Sequence, residues 1–322
     1  MKSIIVTGAA GFLGSHLCEY YLNLNHCVIG LDNFSTGQTK NIEHLKNLYP
    51  DHFYFVQMDI CEEWHSVQEF ISEKRLEIPE YIFHFASAAS VPHYQKLNLE
   101  TMAANSSGLQ KCLEFSKIFG SRTIFASTSE VYGDPEQTPQ PECYNGNVST
   151  TGPRSCYDES KRFGEALLTN WNQRYHTQHG IIRIFNTYGP RMSLDDGRVV
   201  LRFIQQALKN KPLTIFGHGE QTRSFCYVED LILGIDLYAK SSLTEPRNLG
   251  RAEEITMSDL AKLILKLTES RSMIEYSALP LDDPQRRVPN LDKVQNELNY
   301  SASTDLTTGL LKMISWFKNE AH

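Results

Sequence analysis

The first 32 residues leave this chain little freedom of architecture. A short apolar run, Ser3–Thr7, leads into Gly8-Ala9-Ala10-Gly11-Phe12-Leu13-Gly14, and residues 12–24 carry the apolar spacing of a helix. Residues 26–31 read as a second strand that ends in Asp32. Strand, helix and strand make a βαβ unit, whose two strands lie parallel with the helix packed on the sheet. Glycine at the turn lets the backbone approach a pyrophosphate, and the helix N-terminus supplies free N–H groups and positive potential. Asp32 falls where a carboxylate can accept from an adenosine ribose 2′-hydroxyl and would repel a 2′-phosphate, which favours NAD over NADP. A glycine-rich turn also occurs in unrelated α/β proteins. It is the succession of strand, turn, helix, strand and acid that points to a dinucleotide.

The alternation continues. Residues 53–57 read as a third strand, and Asp59 just beyond it either meets an adenine edge or caps a helix that starts near Glu62. Residues 81–85 form a fourth strand, followed by the small residues 86–90, which permit either a cofactor's close approach or tight packing. A long helix is expected over 99–119, a fifth strand over 121–126 and a sixth over 181–185, with a Pro-, Gly-, Asn- and Thr-rich loop over 134–153. This predicts an α/β fold: a Rossmann-type doubly wound parallel sheet over residues 1–180. Beyond it the alternation weakens. Helices over 199–210, 230–239, 257–267 and 306–318, strands over 213–216 and 223–227, and a polar loop over 280–290 predict a smaller mixed α/β domain, residues 181–322, that holds the substrate. Some of its segments are expected to return to the first domain.

Polar residues gather where such a sheet binds ligands, at the carboxyl ends of strands. The stretch 126–133, with Thr128 and Glu130, follows the fifth strand, and Tyr157-Asp158-Glu159-Ser160-Lys161 opens a helix over 157–175. Tyr157 and Lys161 are four apart and share a helix face. A free tyrosine has a pKa of about 10, so a tyrosine base near neutrality must be lowered by about 3 units, or about 4 kcal/mol. The Lys161 ammonium, helped by a nicotinamide's charge, is expected to do that. Any helix can hold a Tyr/Lys pair at this spacing; its meaning comes from Thr128, Glu130 and the dinucleotide turn.

Composition excludes other classes. A formal charge of -7 argues against a general nucleic-acid surface, though not against an anionic substrate met by local arginines. No apolar run approaches the roughly 18 residues of a membrane span, so no membrane partner is expected. The N-terminus enters its first strand directly, which is no signal peptide. The 7 cysteines are scattered and form no CxxC, so they read as reduced thiols of a cytoplasmic protein without a metal site. His84, at a strand end, reads as a satisfied core histidine.

Taken together the motifs resemble the extended short-chain dehydrogenase/reductase family and, within it, the UDP-glucuronate decarboxylases, along nearly the whole chain. The resemblance is carried by residues 8–14, Leu31-Asp32-Asn33-Phe34, residues 127–134, Gly152-Pro153-Arg154-Ser155-Cys156-Tyr157-Asp158, residues 183–192, Asp196-Gly197-Arg198-Val199-Val200, Gln221-Thr222-Arg223-Ser224-Phe225 and Asp282-Asp283-Pro284-Gln285-Arg286-Arg287. It implies NAD held by Gly8, Gly11, Phe12, Leu13, Asp32, Asn33, Phe34, Thr36, Gly37, Asp59, Ile60, Phe85, Ser87, Tyr157 and Lys161. It implies catalysis by Thr128, Glu130, Tyr157, Lys161 and Arg287. A UDP-sugar would be held by Glu130, Tyr157, Asn186, Arg198, Val200, Phe203, Phe216, Arg223 and Arg287. The implied reaction is redox-neutral decarboxylation of UDP-glucuronate to UDP-xylose through a 4-keto intermediate, in a homodimer whose 99–119 and 157–175 helices pair as a four-helix bundle. Sugar-nucleotide 4,6-dehydratases typically carry Asp-Glu where Ser129-Glu130 stands, and 4-epimerases usually lack the Glu. Both remain alternatives, as does a non-catalytic NAD-binding regulator. One departure concerns the sugar: Ala103-Ala104-Asn105 replaces a usual Lys-Thr-Asn, which leaves a related UDP-sugar acid open as the substrate.

Overall fold

The computed structural model describes residues 2–278 and 286–320. The apolar runs become strands β1 (Ser3–Thr7), β2 (Cys27–Asp32), β3 (Phe53–Gln57), β4 (Pro79–His84), β5 (Arg122–Thr128) and β6 (Gly180–Ile184). Four short strands follow: β7 (Thr187–Tyr188), β8 (Leu213–Phe216), β9 (Thr222–Ser224) and β10 (Cys226–Tyr227). Then β11 (Arg247–Leu249) rejoins the main sheet, whose seven strands run β3-β2-β1-β4-β5-β6-β11, every neighbouring pair parallel. A parallel sheet is covered on both faces and needs strands that are apolar throughout. Ile4, Ile5, Val6, Val28 and Ile29 are accordingly fully buried. The strand order reverses between β1 and β4, and a crevice opens at their carboxyl ends. Both β6 and β11 lie at or beyond residue 180, so the later half of the chain supplies one edge of this sheet.

The first half also contributes helices α1 (Phe12–Asn23), α2 (Lys40–Leu48) and α3 (His65–Glu73). Gly11 stands at the N-cap of α1, with no side chain capping the helix and no acid in its first turn. Its leading N–H groups are therefore left for a ligand. The helix expected over 99–119 runs without interruption over 98–119, with one wide turn inside it. It is preceded by α4 (Val91–Lys96) and consists of α5 (Asn98–Ala103), a π-helical turn over residues 104–108 and α6 (Leu109–Phe119). The wide turn carries Asn105, whose buried Nδ2 donates to Thr101 O, Ser87 Oγ and Ser160 Oγ at 3.0 Å each. Such turns mark functional helices more often than plain ones. The fifth strand runs past residue 126 to Thr128, because Ser127 and Thr128 keep register with Arg183 and Ile184 of β6.

A 3₁₀ turn, Ser129–Tyr132, and α7 (Ser155–Tyr175) complete this half. The smaller half packs α8 (Val199–Leu208), α9 (Val228–Lys240), α10 (Met257–Thr268), α11 (Asp292–Leu298) and α12 (Leu306–Glu320) around β12 (Glu254–Thr256), β13 (Ile274–Ser277) and β14 (Arg286–Arg287). The strand expected over 223–227 divides at Phe225: β10 pairs with β7, while β9 lies between β12 and β14. Of the loop expected over 280–290, residues 280–285 fall outside the described residues. Arg286 and Arg287 instead form β14, which sets Arg287 directly opposite Arg223 of β9. One core runs through both halves, from Leu17 and Tyr21 of α1 to Phe203, Leu231, Leu260 and Met313.

Candidate active site

The carboxyl ends of β1, β4, β5 and β6 open onto a cavity of about 870 Å³. Gly8, Gly11, Phe12, Leu13, Thr36, Phe85 and Ser87 line it together with Tyr157 and Lys161. Asp32, Asn33, Asp59 and Ile60 line a smaller pocket of about 100 Å³ that shares Gly8, Gly11, Thr36, Phe85 and Ser87 with the first. Phe34 and Gly37 line neither. The Phe34 N–H donates to Asp32 Oδ1 at 2.7 Å, and its ring packs 5.2 Å from that of Phe55. Gly37 is small because a Cβ there would stand 2.9 Å from both Ala10 Cβ and Asp32 Oδ1. These two shape the loop around Asp32 rather than the wall. Asp59 borders the pocket but caps no helix: α3 begins only at His65 with Trp64 at its N-cap, and Asp59 Oδ1 instead accepts the Cys61 N–H at 2.9 Å within a turn.

These residues fit a dinucleotide. Gly8 has φ +72°, and a Cβ on it would lie 2.9 Å from the Phe85 and Ala86 backbone. A Cβ on Gly14 would lie 2.0 Å from the Gly8 carbonyl oxygen, so α1 is held as close to the turn as glycine permits. The Thr7 hydroxyl accepts the N–H groups of Phe85 and Ala86 at 3.1 Å, which ties the ends of β1 and β4 together under the cradle. At the far side Asp32 Oδ2 accepts the Ala10 N–H at 2.9 Å. Burial raises the Asp32 carboxyl, opposed by hydrogen bonds from the Phe34, Ala10 and Asn33 N–H groups.

The candidate reactive groups come from β5 and α7. Thr128 ends β5, and its hydroxyl accepts the Glu130 N–H at 3.2 Å. Tyr157 and Lys161 lie on the buried face of α7. Tyr157 stacks flat on Tyr94 of α4, ring centres 5.1 Å apart and planes 6° from parallel. Lys161 Nζ donates to Ala126 O at 2.7 Å and stands 5.8 Å from the Tyr157 ring centre. Burial pushes the Tyr157 phenol up to about 12, against the lowering hydrogen bond from Thr128. Burial likewise pushes the Lys161 ammonium down to about 7. In the protein by itself, the expected lowering of Tyr157 by Lys161 is not displayed: burial is the largest influence on both groups and disfavours both ions.

Glu130 carries the densest charge contacts. Its Oε1 lies 2.5 Å from Arg287 Nη1, and its Oε2 accepts from Arg287 Nη2 at 3.0 Å and from Arg154 Nη2. Burial pushes this carboxyl up, but Arg287, Arg154 and Arg223 together hold it below its ordinary value. Asp158, one helical turn beyond Arg154, has a buried Oδ1 with no hydrogen-bond partner. Burial and the Glu130 charge push it up to about 7.

Every residue expected to meet the sugar nucleotide lines the large cavity: Asn186, Arg198, Val200, Phe203, Phe216, Arg223 and Arg287. Asn186 Nδ2 is buried there without a hydrogen-bond partner, a donor left for a ligand. Arg198 Nε pairs with Asp196 Oδ1 at 2.8 Å while still bordering the cavity. Phe216 carries the Arg202 guanidinium 4.5 Å over its ring. Sequence reasoning passed over Arg154, Asp158 and Tyr94. Arg154 was within reach, three residues before Tyr157 in a stretch already singled out; Tyr94 lies in a segment with no pattern to mark it. His84 is fully buried, with its ring nitrogens near Thr7 Oγ1 at 3.3 Å and Ala104 O at 3.0 Å. Among the described residues no cluster of three or more His, Cys, Asp or Glu could hold a metal ion, and no helix is long and apolar enough to cross a membrane.

Comparison with known proteins extends this geometry. The sequence pattern of the NAD dependent epimerase/dehydratase family matches residues 4–250. UDP-glucuronic acid decarboxylase 1 of Danio rerio is 41% identical over 319 residues, 99% of this chain and 73% of that protein. UDP-glucose 4-epimerase of Thermotoga maritima, solved with UDP-glucose, superposes with a TM-score of 0.89 at 27% identity, covering 99% of this chain and 100% of that one. UDP-glucuronic acid 4-epimerase of Bacillus cereus, solved with UDP-glucuronic acid and NAD, superposes with a TM-score of 0.83 at 29% identity, covering 99% of both chains.

Proposed function

The chain belongs to the NAD dependent epimerase/dehydratase family, and on that footing we propose that it is an NAD-dependent UDP-glucuronate decarboxylase, releasing carbon dioxide and UDP-xylose with no net oxidation. The relatives that bear the decarboxylase name support this at 39–41% identity over nearly the whole chain. The observation that carries it is Glu130 gripped by Arg154 and Arg287 on the wall that also holds Thr128, Tyr157 and Lys161. Ser129 beside it is a poor acid, so this wall lacks the donor that would expel a sugar's 6-hydroxyl as water.

When bound, NAD supplies reversible oxidation at sugar carbon 4, which sets the carboxylate β to a ketone. Tyr157, with Thr128 hydrogen-bonded to it, takes the proton from the 4-hydroxyl and later returns it. Loss of carbon dioxide moves the electron pair of the broken bond onto the carbon-4 oxygen, which these same two hydroxyls would stabilise, and a proton from water then takes the carboxylate's place at carbon 5. Tyr157 is high in pKa before substrate arrives, so its phenolate exists only while Lys161 is protonated and a further positive charge stands close by. Glu130 and Arg287 orient the carboxylate end of the sugar. Asn186, Arg198 and Arg223 hold the rest of the nucleotide sugar; paired guanidinium donors suit diphosphate and carboxylate alike.

The working assembly is a homodimer in a reducing, cytoplasmic setting. Leu99 and Met102 of α5, Ile118 of α6 and Phe163 of α7 are large apolar side chains left exposed on the helices expected to pair. All 7 cysteines are free thiols. The test of the activity is direct: protein, NAD and UDP-glucuronate are incubated, and the nucleotide sugar is weighed by mass spectrometry and its carbon-4 configuration read by proton NMR. Loss of carbon dioxide is the expected result. Retention of carbon 6 with inverted carbon 4 would make the protein an epimerase instead. Turnover of only an N-acetylated UDP-sugar acid would move the substrate to the relative that Ala103 leaves open.

A further inference from the structure

We propose that Arg154 is a positioning residue of this reaction: it keeps Glu130 a carboxylate locked onto Arg287, and it couples that lock to the helix that carries Tyr157. The kinetic part of this inference rests on the decarboxylase reading above; the electrostatic part does not.

Three observations carry it. First, Arg287 stands opposite Arg223 in the β9–β14 register, and both are buried. Like charges set directly opposite repel, so the pair needs a fixed anion. Glu130 is that anion, and its two oxygens already take the fork of Arg287. Second, a carboxylate as buried as Glu130 tends to take up a proton, and a protonated Glu130 would lose the charge that makes the two-pronged pairing with Arg287 strong. The Arg154 contact to Oε2 opposes that protonation. Third, Arg154 is built into the start of α7: its carbonyl accepts the N–H groups of Tyr157 and Asp158 at 3.0 Å. A shift of Arg154 therefore moves the first turn, where Tyr157 sits. Asp158 on the same helix faces Arg154 Nε at 3.8 Å and does not itself border the cavity. The charged and titratable groups facing this cluster are Arg287 from β14, Arg223 from β9, Tyr94 from α4, and Tyr157, Asp158 and Glu159 from α7.

The experiment uses the full chain with glutamate carboxyls labelled with carbon-13, and Glu130→Gln identifies the Glu130 infrared band. Arg154→Gln is expected to move the Glu130 titration up by about one unit or more, and Arg154→Lys by about half as much or less. With UDP-glucuronate, kcat in Arg154→Gln falls by about 30-fold or more while KM changes by less than about threefold, and the Lys variant recovers part of the rate. NADH binding by both variants checks that they fold. An unmoved Glu130 titration in a folded Arg154→Gln protein overturns the proposal. So does a rise in KM at constant kcat, which would make Arg154 a plain substrate contact. If the unsubstituted protein releases no carbon dioxide, the decarboxylase reading falls, and the infrared titration still decides what Arg154 does.

Discussion

Replacing Lys161 by methionine should stabilise the fold while sharply reducing turnover, and the gain should depend on pH in a set direction. On folding, the Lys161 pKa falls from 10.5 to about 7, burial being the cause. The unfolded chain therefore holds this proton more tightly than the folded one. The penalty is fully present below about pH 7 and lifts as pH rises toward the unfolded value. At about 1.4 kcal/mol per pH unit, it shrinks by about 2 kcal/mol between about pH 7 and pH 9. An unfolding entropy of about 2.1 cal/mol/K per residue turns 2 kcal/mol into about 3 °C for a chain of this length. Methionine escapes the penalty. It also loses the Lys161 hydrogen bond to Ala126 O, and any pH dependence of that bond is already contained in the shifted lysine pKa. The difference in Tm between variant and parent should thus be about 3 °C larger at pH 7 than at pH 9, in calorimetry without added nucleotide. A gap that is constant or widens with pH would refute a lysine disfavoured by burial. Turnover in the variant should fall by about 10²-fold or more, because the Tyr157 phenolate then loses the Lys161 ammonium.

Three further substitutions probe other parts. Gly14→Ala should gain up to about 1 kcal/mol of helix propensity, yet the added Cβ would meet the Gly8 carbonyl oxygen at 2.0 Å, so a lower Tm and weaker NADH binding by calorimetric titration are expected, and a raised Tm would show that the turn relaxes freely. Asp32→Asn should narrow the preference for NAD over NADP by about tenfold, since a carboxylate near a 2′-phosphate is worth about 1.4 kcal/mol of repulsion, read from the two cofactors' binding constants. If the proposed homodimer forms through these helices, Phe163→Glu should yield monomers in light scattering at micromolar concentration, because it sets a charge at one of their exposed apolar side chains.

Much of the candidate site was legible because its residues sit in short local stretches. Thr128 and Glu130 lie two apart after an apolar strand, and Tyr157 and Lys161 lie four apart on a helix, so local geometry alone puts each pair on one surface. Arg154 and Asp158 were missed for the opposite reason: an arginine and an aspartate at a helix start look like ordinary surface charges until burial and Glu130 are known. Tyr94 was missed because flat stacking on Tyr157 joins residues 63 positions apart.

By itself the order of residues determined the parallel sheet, the dinucleotide turn and the types of reactive side chain, since continuous apolar runs, a glycine cradle and i, i+4 spacing act through neighbouring backbone. Only the folded chain decided the charge states. Desolvation depends on everything packed around a group, and it lifted the Tyr157 phenol and drew down the Lys161 ammonium where pairing alone suggested the reverse. It also decided the company Glu130 keeps, because Arg287 reaches it across 157 residues through the pairing of β14 with β9, a register that no local pattern encodes.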